Sequence, residues 1–303
     1  MVTNTDYEKY RVSRPAYTLG GGVKGRQSPV MTYLSNGLVP GCNLYIEMGW
    51  VTGMPEPNPH IATHTLDYDE IIIHIGGDPD SPRDLGAEVA YYVDGQPLVF
   101  DTTTLLYVPA GVPRGPAFWR SYRQPHIVMS IVLGPETTAA AWMTSTRPGI
   151  PDRTGDTDYE KYLVREPVYL SGTEVTEAIK NPAPIYLSSD LVDGCRAYID
   201  FGWIYDLPDP NPPIPEHDHN YEEVVVVIGG DPDNPEDLGA ELEFCIDSQP
   251  LTFDTTTAVY VTKDIPHGPL TWKRLDHPHI LMPIVIGTGS LAEAAPAGYK
   301  EGR

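Results

Sequence analysis

His217, His219 and Glu223 fall on alternate positions of one stretch, Glu216-His217-Asp218-His219-Asn220-Tyr221-Glu222-Glu223. Successive side chains of an extended backbone point to opposite faces, so these three share a face. Two imidazoles and a carboxylate on one face can converge on a divalent cation. A fourth donor has to come from elsewhere, and His267, in Asp264-Ile265-Pro266-His267-Gly268-Pro269, is the candidate. Three nitrogens and one oxygen suit Fe(II), Mn(II), Ni(II), Co(II), Cu(II) or Zn(II) and reject none of them. Four protein donors on an octahedral ion leave two adjacent positions for substrate and a second small molecule. The competing explanation is a set of ordinary polar residues.

These residues sit in the second copy of an internal duplication. Leu34-Ser35 and Gly41-Cys42 return as Leu187-Ser188 and Gly194-Cys195; Gly76-Gly77-Asp78-Pro79-Asp80 returns as Gly229-Gly230-Asp231-Pro232-Asp233. Phe100-Asp101-Thr102-Thr103-Thr104 returns as Phe253-Asp254-Thr255-Thr256-Thr257, at a constant offset of 153 residues. A repeat that long is a duplicated domain and not a solenoid unit. The offset carries His217 onto His64 and Glu223 onto Glu70, but His219 onto Leu66 and His267 onto Arg114. A guanidinium does not ligate a cation and repels one. The first copy is therefore expected to be metal-free, with Arg114 paired to Glu70 in a degenerate cage with His64, because a buried carboxylate needs a partner.

The run His-x-His-x3-Glu-x6-Gly, closed by Gly230, resembles the first motif of the cupins. The second cupin motif, Pro-x-Gly-x2-His, is met in part: His267 is in place, but Thr262 and Asp264 stand where Pro and Gly belong. The losses are complementary, since the first copy keeps Pro109-Ala110-Gly111 and lacks the His. The resemblance covers most of both copies. It implies an all-β chain of two tandem antiparallel β-barrels of the double-stranded β-helix or jelly-roll type, with domains at 1–150 and 151–303. It also implies one divalent ion per chain, held by His217, His219, Glu223 and His267. On that basis the first expectation is a dioxygenase-like oxidoreductase with Fe(II), acting on a small organic molecule. The alternatives are a non-redox decarboxylase, lyase or isomerase using Mn, Ni or Zn, and a non-catalytic binding or storage bicupin; Co or Cu would also suit the site. Bicupin oxalate decarboxylases usually carry metal sites in both halves, so Leu66 and Arg114 count against that subgroup.

The strands that must position these donors are visible as period-two patterns. Cys42, Leu44, Ile46, Met48 and Trp50 form an apolar face that Cys195, Ala197, Ile199, Phe201 and Trp203 repeat. Asn43, Tyr45 and Glu47, or Arg196, Tyr198 and Asp200, occupy the other face, which predicts half-buried strands. Further strands are expected at 89–93, 105–108 and 126–133, with partners in the second copy. The Pro-rich segments 54–59 and 207–215 lead to the metal motif and are candidate pocket rims. The Asp- and Pro-rich loops after each Gly-Gly read as surface turns. Short helices are expected at 137–143 and 290–295, an interdomain linker at 145–157 and a loose tail at 298–303. Asp-Tyr-Glu-Lys-Tyr opens both copies, at Asp6 and at Asp158, as an arm that crosses to the other domain or another subunit, or lies along its own.

Other polar residues have plainer readings beside the functional ones. His279 and its equivalent His126 are expected to be structural, with hydrogen bonding to a metal ligand as the alternative for His279. His74, which replaces Val227, could join His64, Glu70 and His126 in a second, divergent polar pocket. Trp203 and Tyr260 are candidate pocket walls in a chain with 19 Tyr, where most are core or surface. Nothing resembles a Ser-His-Asp set, a phosphate loop or a dinucleotide fingerprint.

A formal charge of −22, from 20 basic and 42 acidic residues, argues against nucleic acid or anionic membrane as partner. No apolar run approaches the ~20 residues that span a bilayer. The three cysteines, Cys42, Cys195 and Cys245, have no zinc or CxxC spacing. These features make a reducing cytoplasm the expected compartment. The expected partner is a small-molecule substrate, with homo-oligomerisation through the arms left open.

Overall fold

The computed structural model describes residues 6–18, 22–134, 149–169 and 184–289. Two compact units emerge, Pro15–Glu166 and Met1–Arg14 with Pro167–Arg303, here called the N-terminal and C-terminal units. A linear division at 150 thus places residues 1–14 and 151–166 in the wrong unit. The reason is the pair of arms. Tyr7–Tyr10 forms a 3-10 turn followed by a strand, Arg11–Val12, that pairs antiparallel with Thr257–Val261. Tyr159–Tyr162 and Leu163–Val164 do the same against Thr104–Val108. In both turns an aspartate caps the first turn: Asp6 accepts from the Glu8 N–H at 3.0 Å and Asp158 from the Glu160 N–H at 3.1 Å.

In the N-terminal unit the larger sheet runs, edge to edge, through Leu163–Val164, Thr104–Val108, Asp69–Gly76, His126–Leu133, Leu44–Glu56, Val30–Leu34 and Ala16–Thr18. Lys24–Arg26 also pairs with Leu44–Glu56. A smaller sheet holds Arg114–Tyr122, Asp84–Val93 and Gln96–Thr102. The C-terminal unit repeats the plan: Arg11–Val12, Thr257–Val261, Glu222–Gly229, His279–Ile286, Ala197–Asp200 and Ile185–Leu187, with Gly202–Ile204 on His279–Ile286. Its smaller sheet holds Gln249–Thr255, Asp237–Ile246 and His267–Leu275. All these pairings are antiparallel, and the class is two tandem cupin-type jelly rolls. The expected barrels are in fact pairs of sheets: among the described strands no ring of hydrogen bonds closes.

The cores lie between the two sheets of each unit, around Val89, Tyr91, Phe100, Val108 and Trp119 in one and Leu242, Phe244, Phe253, Val261 and Trp272 in the other. Gly76 and Gly229 sit where the strand passes beneath the next turn; an added Cβ would strike the carbonyl oxygen of Asp84 or Asp237. Gly230 is fixed in another way, since the Trp203 ring would lie 2.8 Å from its Cβ. The Asp- and Pro-rich turns are held by Asp78 and Asp231, which accept from the N–H of Asp80 and Asp233.

One expectation fails instructively. Leu44–Glu56 is buried on both faces through Val51, not half-buried: Tyr45 is fully buried and Glu47 only 7% exposed. The polar alternate face turns into the unit's interior instead of toward solvent. Cys42 and Cys195 are buried as small core residues. The helices expected at 137–143 and 290–295, part of the linker and the tail lie outside the described residues. No helix among the described residues is long and apolar enough to cross a membrane.

Candidate metal centre

Three of the four predicted donors come from one segment and the fourth from the facing strand. His217 and His219 lie just ahead of Glu222–Gly229, Glu223 lies within it, and His267 opens His267–Leu275. A two-way backbone bridge fixes the pair: each of His217 and His267 donates its N–H to the other's carbonyl at 2.9 Å. The donor atoms of His217, His219, Glu223 and His267 all lie within 4.8 Å of one another.

The rings are oriented by the backbone. The Nδ1 atoms of His217, His219 and His267 sit 3.0, 2.9 and 2.8 Å from the carbonyls of Pro215, Tyr221 and Ile265. A carbonyl only accepts, so each Nδ1 carries the proton and each Nε2 is left with a lone pair when the ring is neutral. Yet Nε2 of His219 and of His267 lie 3.0 and 3.1 Å from the same oxygen, Glu223 Oε2. Lone pairs facing a carboxylate at that range need a positive charge between them. A proton serves one contact at a time, whereas a divalent cation serves all four donors together. The donor set therefore fits such an ion.

The charges point the same way. Burial raises the Glu223 carboxyl, but hydrogen bonds from His219 and His267 and the charge of both rings outweigh it and bring it to about 2. Burial lowers the His267 ring, and the Glu223 hydrogen bond and charge more than reverse this. Burial holds the His217 ring below the usual histidine range. Tyr221 stacks on His219, centroids 3.9 Å apart, and burial together with Glu223 pushes its hydroxyl up to about 12. Beside the cluster lies a cleft of ≈ 30 Å³ with an apolar wall of Val225, Phe244, Leu270, Leu281 and Pro283.

The other predicted residues fall elsewhere. His279 Nε2 accepts from the Trp272 indole at 2.9 Å, as His126 does from Trp119 at 3.0 Å. Burial lowers both rings to about 4, so both are neutral acceptors in the core. Trp203 packs over Gly230, and Tyr260 lies on Thr257–Val261 near Tyr10; neither lines the cleft.

In the N-terminal unit the same positions make a different object. His64 and Arg114 form the equivalent backbone bridge, and Arg114 Nη1 donates to Glu70 Oε2 at 3.1 Å. Arg114 is fully buried and Glu70 nearly so; Ser130 adds a hydrogen bond to Glu70 at 2.6 Å. Burial raises Glu70, but His64, Arg114 and Ser130 outweigh it and leave it below the usual range. Leu66 has joined an apolar cluster with Tyr45 and Val132. His74 does not join the cage: it packs among Phe100, Trp119 and His126.

Sequence reasoning missed four polar residues. Asp200 and Glu47, equivalent positions, were placed on a solvent face; Glu47 is buried instead and Asp200 half-buried. Burial pushes Asp200 up to about 7, assisted by Glu223 and opposed by the hydrogen bond from Tyr198 at 2.9 Å. Burial likewise raises Glu47, which accepts from Tyr45 at 2.7 Å. The available signal was the Tyr-x-acid pattern kept in both copies. Arg26 and His60 line an N-terminal cleft of ≈ 270 Å³ with Glu47, His64 and Glu70. His60 directly follows the Pro-rich segment taken as a rim; Arg26 carried no signal.

No protein-family model matches the chain, and no curated protein does. Its structure, however, is similar to solved proteins along nearly its whole length. AerE from Microcystis aeruginosa aligns with a TM-score of 0.50 at 13% identity, over 92% of this chain and 99% of that one. Oxalate decarboxylase from Bacillus subtilis aligns at 0.56 and 11%, over 93% and 77%. Oxalate decarboxylase from Lactobacillus farciminis, in its formate complex, aligns at 0.57 and 9%, over 93% and 86%. At these identities the likeness establishes the fold.

Proposed function

We propose that the protein is a metal-dependent bicupin enzyme whose C-terminal unit decarboxylates, or otherwise cleaves without net oxidation, a small organic acid. The observation that carries the reading is the convergence of His217, His219, Glu223 and His267 beside a very small cleft. Its size limits the substrate to a few heavy atoms, and two of the similar structures are named for decarboxylation of such an acid, oxalate. The dioxygenase-like reading with Fe(II) has no support beyond the sequence resemblance, so the non-redox alternative takes its place.

A bound divalent ion would supply Lewis acidity and a fixed positive charge for a carboxylate. The chain's own groups do the rest. The carbonyls of Pro215, Tyr221 and Ile265 hold the three rings in the ligating tautomer. Leu270, Leu281 and Pro283 exclude water and disfavour a localised carboxylate relative to neutral carbon dioxide. Asp200, which accepts from Tyr198 and feels the charge of Glu223, is raised by burial to about 7 and is the candidate acid for protonating a carbanion. The test is a panel of small mono- and dicarboxylates incubated with protein of measured metal content, following carbon dioxide release and oxygen uptake together. Carbon dioxide release without oxygen uptake, abolished in His217→Ala/His267→Ala, is expected. Oxygen uptake that tracks iron content would restore the dioxygenase reading. No turnover by metal-loaded protein would favour a binding module.

A further inference from the structure

The N-terminal cleft raises a separate question: what a site does after its metal donors are gone. At ≈ 270 Å³ it is far larger than its C-terminal counterpart. That is just below the ~300–1,000 Å³ of sites that hold drug-sized ligands. Ile61, Ile72, Val128 and Met129 give it apolar lining, and Arg26, His60 and Glu47 join His64, Glu70 and Ser130 as polar lining.

The polar side has donors to spare. Arg26 Nη1 lies 2.7 Å from His60 Nε2. The guanidinium can only donate, so Nε2 accepts and the His60 proton sits on Nδ1. That Nδ1–H and the Arg26 Nε–H are both sealed from solvent and both lack a hydrogen-bond partner. Each orphan donor carries a desolvation cost of ~1–3 kcal/mol, and the side chains that bear them both line the cleft. Among the described residues no carboxylate lies within 4.0 Å of the Arg26 guanidinium.

The other charges around the cleft are accounted for. Arg114 neutralises Glu70, and Ser130 hydrogen-bonds it. Burial raises the Glu47 carboxyl against the pull of Tyr45 and Arg26, and it holds the His60 ring down to about 3, so that ring is neutral. Arg26 feels the attraction of Glu47 but has no carboxylate in contact, in a chamber it shares with Ile61, Ile72, Val128 and Met129. From this we infer that the N-terminal unit is a metal-independent binding site for a small carboxylic acid with an apolar body, its carboxylate held by Arg26 and His60. The inference is independent of the reaction assigned to the other unit.

The experiment is calorimetric titration of the full chain with benzoate, with and without prior chelation of metal, so that a carboxylate bound at the C-terminal donors is told apart. Benzyl alcohol and acetate are the controls that lack the charge and the body. One equivalent of benzoate bound by the chelated protein, with weaker binding of both controls, is expected. Arg26→Gln should weaken it at least ~10-fold, as loss of a charge-assisted hydrogen bond does. His60→Leu should weaken it less. Arg26→Lys, which keeps the charge but not the fork, serves if Arg26→Gln does not fold, and should bind at least several-fold more weakly. Absence of benzoate binding, equal binding of benzyl alcohol, or binding unchanged by every variant that folds would overturn the assignment.

Discussion

Positions 64, 66, 70 and 114 of one unit answer 217, 219, 223 and 267 of the other, on the same strands and across the same backbone bridge. In the C-terminal unit one carboxylate oxygen faces two imidazole Nε2 atoms, an arrangement that asks for a cation from solution. In the N-terminal unit a guanidinium has been built into the chain to meet the same carboxylate. The walls have changed in the opposite sense. His60, Tyr91 and Ser130 answer Pro213, Phe244 and Pro283. The cage that lost its donors gained a roomy, polar chamber, while the cage that kept them is tight and apolar. A degenerate ligand set is therefore not an empty record of ancestry, because the charge balance that replaced it leaves room for other chemistry.

The sharpest way to break this contrast is to exchange the cages. Leu66→His/Arg114→His should give the N-terminal unit a bound divalent ion, and His219→Leu/His267→Arg should remove it from the C-terminal unit. Elemental analysis reads both, and the loss should exceed the ~10–100-fold that removing an outer partner of a ligand costs. Failure of the first exchange to bind metal would mean that the strands, and not the four side chains, set the difference.

A smaller effect tests the built-in cation. Arg114→Ala leaves Glu70 buried without its guanidinium partner, with only Ser130 and His64 beside it, and should cost about 3–5 kcal/mol in denaturant unfolding of the N-terminal unit. Glu70→Leu/Arg114→Leu, which removes both charges, should recover most of that loss.

Asp200 predicts a slope with pH. Its folded-state carboxyl titrates near 7 instead of at 3.8, so the folded chain binds the extra proton between those values. Its contribution to stability is full below 3.8 and is lost as pH rises through 7, at no more than about 1.4 kcal/mol per pH unit. Asp200→Asn should flatten that part of the stability profile of the C-terminal unit.

The smallest effect should be equal in the two units. Trp119→Phe and Trp272→Phe each strand a buried histidine acceptor, His126 or His279, and should each cost ~1–3 kcal/mol in thermal unfolding. A larger loss of metal in the second variant than in the first would tie His279 to the donor set after all.

Much of this was legible in the residues. The alternation of His217, His219 and Glu223 carried their common face, because a strand's side-chain period is fixed. The duplication carried Arg114 onto His267 and so onto Glu70. What the sequence could not show was which way a polar alternate face turns. Tyr45 and Glu47 read as solvent-facing, since local pattern does not distinguish water outside a sheet from a cleft inside it. Arg26 was invisible for a related reason: its role depends on a strand pairing with Leu44–Glu56 that nothing local announces. For the arms the sequence left crossing and lying along their own copy both open, because the choice is a property of the sheet edge they complete.

That destination governs how the gene can be cut. A fragment ending at the junction of the two copies would lack Leu163–Val164 and leave Thr104–Val108 as a bare rim, ready to recruit a foreign strand. The compact unit runs instead from Pro15 to Glu166, out of phase with the repeat. The duplicated segment and the compact unit of this chain are thus not the same piece of polypeptide.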